Sequence, residues 1–248
     1  MSDNFAIVIL AAGQGKRMGG EKPKVLRELN GRPLIAHLRE AIEKSGVGVK
    51  PTVVVCDEHN LVQEALGDSC DYAIQAEQLG TAHAVSCVRD SLKNRAEHIL
   101  VLYGDHPLLS SQTIARLKEY HQNQQAVLTL MTTVLPDFNE WRAVFKDFGR
   151  VLRNEKEEII GIVERRDATP EQIDVREVNP MYCCFKADWL WANLDKIDNK
   201  NVQGEYYLTD LVKLAFGQGE KIATLLIENQ ECLGVNRPEE LAIAEKFF

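Results

Sequence analysis

Apolar, β-rich runs alternate with amphipathic helical segments along the first half of the chain, and this alternation settles the fold class before any other feature. "FAIVILAA" (5–12) is apolar at every position, the mark of a strand buried on both faces. "PLIAHLREAIEKSG" (33–46) sets Leu34, Ile35, Leu38, Ala41 and Ile42 on one stripe with Gly46 just beyond, which predicts a helix. The same reading gives strands at 51–56, 98–105 and 126–135 and helices at 59–67, 81–92 and 111–122. Thr81 is the expected N-cap of the helix it opens. Strand and helix in this rhythm imply an α/β fold with a doubly wound, mostly parallel sheet and right-handed crossovers. Ligands of such sheets collect outside the carboxyl ends of the strands.

From about residue 136 the rhythm changes. Residues 148–167 read as a β-hairpin with a polar turn at 154–157, followed by a strand at 178–185. A helix over 204–219, a strand over 221–228 and a last helix with Pro238 in its first turn complete the chain. The second half therefore reads as a small β-rich lid or substrate region grafted onto the sheet.

Composition narrows the partners. The 248 residues carry a formal charge of −8, which argues against a nucleic-acid groove or an anionic membrane surface. No run reaches the roughly 18 apolar residues of a membrane span, and the N-terminus lacks a basic n-region, so a cytoplasmic protein is expected. The six cysteines form no C-x-x-C and lie mostly in apolar surroundings, as buried reduced thiols do.

Against that acidic background the first loop stands out. "IVILAAGQGKRMGGEKPKVL" (7–26) gathers four glycines within eight positions and the cations Lys16, Arg17, Lys22 and Lys24. It is not a P-loop, because Arg17 takes the Ser/Thr position after Lys16. Nor is it a dinucleotide fingerprint, because Met18 takes the place of the third glycine. What remains is a strand, then L-A-A-G-x-G-x-R-M, then P-K. Small Ala11, Ala12 and Gly13 let a flat base approach the backbone after Leu10. Gly13 and Gly15 allow amide N–H groups to turn into one concavity around phosphate oxygens. Arg17 offers a planar fork and Lys24 a point charge to a polyphosphate.

These residues resemble the signature of sugar-1-phosphate nucleotidylyltransferases, and later segments resemble the bacterial N-acetylglucosamine-1-phosphate uridylyltransferase branch. They are "QAEQLGTAHAV" (75–85), "LYGDHPLL" (102–109), "GRVLRN" (149–154), "IVERRDAT" (162–169), "EVNPM" (177–181), "QGEYYLTDLV" (203–212) and "GVNRPEEL" (234–241). The resemblance implies Mg²⁺-dependent transfer of UMP from UTP to a sugar-1-phosphate, giving a UDP-sugar and pyrophosphate. It implies nucleotide contacts from Leu10, Ala11, Ala12, Gly13, Gly15, Gln75, Gly80, Thr81, Tyr103 and Gly104, with Gln75 reading uracil. Arg17 and Lys24 would be catalytic through charge stabilisation, Asp105 and Asn236 would hold Mg²⁺, and Gly149, Glu164 and Asn179 would contact the sugar. His106 is expected to be a loop residue, since the reaction requires no general base. One domain is expected over 1–248, with a nucleotide half to about 135, a sugar-binding part to about 235 and a C-terminal helix.

Two departures bear on the acceptor. The branch typically reads N-T-G where this chain has Asn179-Pro180-Met181, and Lys16 replaces a small hydroxyl residue in the first loop. N-acetylglucosamine-1-phosphate is the leading acceptor. Another sugar-1-phosphate, dTTP as donor, or a non-catalytic UDP-sugar-binding module are the alternatives. The hexapeptide repeats of the family's bifunctional members are absent from this sequence, so acetyl transfer is not expected of it.

Overall fold

The computed structural model describes residues 4–13, 22–56 and 61–248. Strands β1 (Phe5–Leu10), β4 (Thr52–Val55), β5 (Asp71–Ile74) and β6 (His98–Tyr103) run parallel in the order β5-β4-β1-β6. Between β1 and β4 lies a small hairpin of β2 (Glu28–Leu29) and β3 (Arg32–Pro33). Beyond β6 the sheet continues through β11 (Cys183–Lys186), which is antiparallel to both β6 and β7 (Leu128–Val134). β6 and β7 thus point the same way, and β12 (Ile222–Leu226) pairs parallel to β7. An antiparallel arm of β10 (Glu177–Asn179), β8 (Gly149–Arg153) and β9 (Ile159–Val163) grows from the far end of β7. This arm is the β-rich region expected after residue 136.

Both faces of the sheet are covered because the central strands are apolar on both. Ile7 and Ile9 join one core with Ile35 and Leu38 of α1 (Leu34–Lys44), and with Ile114 and Leu117 of α5 (Ser111–Gln124). Val8 and Leu10 join the opposite core. That core includes Ala82 and Val85 of α3 (Thr81–Ser86), Leu190 of α7 (Ala187–Asn193) and Leu211 of α8 (Asp210–Gly217). Short α2 (Leu61–Leu66), α4 (Arg89–Leu92) and α6 (Pro170–Ile173), with α9 (Pro238–Ala244), complete the α-helices among the described residues. Leu34, Ile35 and Leu38 are each fully buried, worth about 1.5–3 kcal/mol apiece. No disulfide joins the six cysteines, and five of them are buried.

Several elements differ from expectation. The helix over 81–92 is two, with Val88 at φ −100° and ψ 0° between them. The N-cap of α3 is Gly80, with no side-chain cap; the Thr81 hydroxyl instead accepts the Leu208 N–H at 2.9 Å. The strand over 178–185 is broken between Asn179 and Cys183, where Met181 adopts φ +73°. The helix before residue 219 starts only at Asp210, because residues 205–207 run without helical bonds along the Gly80 loop.

Candidate active site

Three strand ends form one edge. The Ala11 N–H donates to Val54 O at 2.9 Å, that of Gly104 to Leu10 O at 3.0 Å, and that of Gln75 to Val55 O at 2.7 Å. The parallel ladder therefore runs one residue past each strand and sets the segments after β1, β5 and β6 side by side. They border a cleft of about 220 Å³ walled by Leu10, Ala12, Gly13, Gln75, Gly80, Thr81 and Tyr103, with Lys24 and Asp105. Of the expected nucleotide contacts, Ala11 and Gly104 stand outside this wall. Arg17 and Gly15 lie outside the described residues. Gln78, Ala84 and Glu205 line the cleft too, and sequence reasoning assigned them no role.

Gly104 does its work behind the wall. A Cβ there would lie 3.1 Å from Val25 Cγ1 and 3.2 Å from Ile35 Cδ1. Without one, the turn Lys24–Leu26 packs onto the end of β6 and delivers Lys24 beside Asp105. Lys24 Nζ donates to Asp105 Oδ2 at 2.6 Å and to Asn236 Oδ1 at 2.7 Å. Burial works to raise the Asp105 carboxyl, and the adjacent Lys24 ammonium overrides it, leaving the group below its ordinary value. Asn236 arrives because the Val235 N–H donates to Asp105 O at 2.9 Å.

His106 lies in a loop, as expected, but it is buried. Tyr182 donates its hydroxyl proton to Glu231 O at 2.8 Å, so the His106 Nδ1–H donates to the Tyr182 oxygen at 2.6 Å. Burial pushes the imidazole down to about 4, so it stays neutral. The ring supports the 234–236 segment: a Cβ on Gly234 would fall 2.3 Å from His106 Nε2. Gly234→Ala is therefore expected to destabilise by about 1–3 kcal/mol through overpacking. In thermal melts, Gly234→Ala/His106→Ala should lose less than the sum of the single losses, as contacting residues do; strict additivity would rule the contact out.

Gln75 is buried, with Nε2 donating to Gly80 O at 3.1 Å and lying 3.0 Å from His83 Nδ1. The 205–208 segment closes over this corner. The Tyr206 N–H donates to Leu79 O at 2.8 Å, and Tyr206 O accepts the Ala82 N–H at 2.9 Å.

The three expected sugar residues come together on neighbouring strands. Asn179 of β10 is in register with Gly149 of β8. Glu164 follows β9, and a Cβ at Gly149 would stand 3.4 Å from its Oε1. Burial raises the Glu164 carboxyl pKa, and Asp210 and Asp167 nearby push it further. Thr209 donates its hydroxyl to Glu164 Oε1 at 3.0 Å. Sequence reasoning gives Thr209 no role, although it sits in one of the segments that carry the resemblance.

A larger concavity lies elsewhere. A groove of about 850 Å³ runs between β9, α8 and the 196–201 segment and touches Glu164. It holds none of the strand-end residues, so size does not make it the reaction centre. Among the described residues, no group of three or more His, Cys, Asp or Glu side chains is placed to hold a metal ion, and no helix is long and apolar enough to cross a membrane.

Known proteins resemble this chain in sequence and in fold. Residues 7–161 match the MobA-like NTP transferase domain. The bifunctional protein GlmU of Brevibacillus brevis is 40% identical over 97% of this chain and 51% of its own length. That of Caldicellulosiruptor saccharolyticus is 37% identical over 99% and 52%, and that of Desulfotalea psychrophila 38% identical over 98% and 70%. The chain thus spans about half the length of most of these relatives. A crystal structure described as a glucose-1-phosphate thymidylyltransferase from Bacillus anthracis, in complex with sucrose, shares the fold. It superposes with a TM-score of 0.76 at 18% identity, over 98% of this chain and 94% of that one. The family match runs from β1 into β9, and the alignment with the GlmU relatives covers almost the whole chain at 37–40% identity. The chain belongs to the MobA-like NTP transferase domain family and is a nucleotidyltransferase.

Proposed function

We propose that this chain transfers UMP from UTP to a sugar-1-phosphate, with N-acetylglucosamine-1-phosphate as the leading acceptor. The observation that carries the reading is the meeting of Lys24, Asp105 and Asn236 at the nucleotide cleft, contributed by positions up to 212 residues apart in sequence. A phosphate oxygen of the sugar-1-phosphate attacks the α-phosphorus of UTP in line. The new P–O bond forms as the bond to pyrophosphate breaks, and pyrophosphate leaves with the electron pair. The protein's share is positioning and charge stabilisation. Gln75, its Nε2 held by Gly80 O and His83 Nδ1, keeps its Oε1 as a fixed acceptor for an N–H of the base. Lys24 supplies positive charge to the phosphates, and Arg17 is proposed to join it. Glu164 and Asn179 offer a carboxylate and an amide to sugar hydroxyls across the bare Cα of Gly149.

The donor set fits Mg²⁺. A carboxylate and an amide oxygen already converge on one cation, the Lys24 ammonium. Magnesium takes few protein oxygens and completes its shell with phosphates and water. Bound there, it would neutralise phosphate charge and orient the reacting groups.

The test is pyrophosphate release with UTP and Mg²⁺ against N-acetylglucosamine-1-phosphate, N-acetylgalactosamine-1-phosphate, glucose-1-phosphate and glucosamine-1-phosphate. Metal-dependent release, fastest with the first, is the expected result. Release with dTTP in preference to UTP would move the donor. Silence with every sugar, alongside UDP-sugar binding, would replace the proposal with a binding role.

A further inference from the structure

The break between β10 and β11 places a methionine where the backbone favours glycine. Met181 sits at φ +73°, a left-handed conformation that residues with a Cβ rarely adopt. Both ends of the Asn179 amide are engaged by this one residue. The Met181 N–H donates to Asn179 Oδ1 at 3.1 Å, and Asn179 Nδ2 donates to Met181 Sδ at 3.1 Å. The thioether thus lies on the amide that faces the acceptor region. Behind Asn179 and Thr209 is a recess whose other walls are apolar, among them Leu208, Val212 and Cys183. An apolar recess with an amide and a hydroxyl beside it suits an acylamino substituent. Met181 borders that recess, which measures about 10 Å³, about the minimum that holds a single water.

We infer that Met181 sets how strongly the site prefers an acylamino sugar, by capping the Asn179 amide and bordering the recess beside it. A sugar with a hydroxyl at C2 meets the site as it stands. An acylamino sugar enters only after the thioether swings aside, which three rotatable bonds permit. Met181 therefore narrows the preference for N-acetylated acceptors that the rest of the site would otherwise show. The inference rests on the proposed reading of Gly149, Glu164 and Asn179 as the sugar site.

Met181→Gly tests it, since glycine accepts this backbone conformation without strain. The readout is the ratio of kcat/KM for N-acetylglucosamine-1-phosphate to that for glucose-1-phosphate, with UTP saturating. The ratio should rise roughly tenfold or more in the variant, in the range one pocket-filling group controls, and the gain should appear in the acceptor KM. Met181→Leu, which retains bulk, should keep the wild-type ratio. An unchanged ratio in Met181→Gly, with both enzymes active, overturns the role of Met181 and leaves the proposed reaction standing. If neither enzyme turns over any sugar-1-phosphate with UTP, the reaction falls, and the selectivity role falls with it.

Discussion

Lys24→Met is expected to lower kcat by roughly 10²-fold or more, as loss of a donor that stabilises transition-state charge does. The same substitution should weaken the resting protein. Asp105 is 3% exposed, and removing its ammonium leaves a buried carboxylate without a counter-charge. Breaking a fully buried pair costs about 3–5 kcal/mol; here the loss is smaller, because the Lys24 side chain is 21% exposed. A divalent cation offers the missing charge to the same two oxygens. Adding Mg²⁺ or Mn²⁺ should therefore restore much of the lost melting temperature in Lys24→Met, through binding to the folded state alone. It should do much less for the wild type, where the ammonium occupies the point on which the oxygens meet. Full activity in the variant would remove Lys24 from the chemistry. A melting temperature indifferent to the metal would detach Asp105 and Asn236 from the cation site. The two readouts are independent, so either role can fail alone.

The parts of this molecule that were legible in its sequence share a physical property: they are local. β1, Val53–Val55 of β4 and Ile99–Tyr103 of β6 are unbroken apolar runs, and burial on both faces leaves that pattern no alternative reading. Helix α5 shows its stripe of Ile114 and Leu117, and Ser110 caps it by accepting the Thr113 N–H. Strand β5 was missed because "DYAI" is short and lies at the sheet edge, where one partner suffices and none of its four residues is buried. Helix α7 was missed because "ADWLWAN" buries Trp189, Leu190 and Trp191 in succession, which blurs the helical period. The break at Pro180 and Met181 was visible as a departure from the family pattern, but its effect on Asn179 was not, since that depends on one dihedral angle. At the site, residue types were legible and partnerships were not. Asp105 and Asn236 could be named as metal ligands through resemblance. That Lys24 joins them follows from Gly104 admitting Val25 against β6, a packing fact with no sequence period. The support His106 gives through Tyr182 is hidden likewise, because a buried neutral histidine and a solvated one look alike in a string of letters.

Gly80→Ala is expected to be among the most damaging single-methyl additions at the nucleotide cleft. Gly80 adopts φ +114°, and a Cβ there would lie 2.5 Å from Tyr206 O and 2.7 Å from Tyr206 N. Both obstacles are backbone, and both already bond across the gap: Tyr206 O accepts from Ala82, and Tyr206 N donates to Leu79 O. Relief requires the 79–82 and 205–208 segments to part, which breaks those bonds and moves the carbonyl that accepts from Gln75 Nε2. Strain and overpacking together put the cost at about 2–5 kcal/mol, a fall in Tm of roughly 4–20 °C for a chain of this size. The kcat/KM for UTP should drop by about 10²-fold, since a misplacement near 1 Å is enough for that. Gly67→Ala separates contact from conformation. Gly67 is also left-handed, at φ +55°, but a Cβ there meets nothing within 4 Å. It should lose only about 1–2 kcal/mol and leave UTP kinetics alone. Equal losses in the two variants would mean that backbone conformation, not the approach of Tyr206, governs Gly80. Normal UTP kinetics in a folded Gly80→Ala protein would separate the 205–208 closure from nucleotide binding and return Gln75 to a structural role.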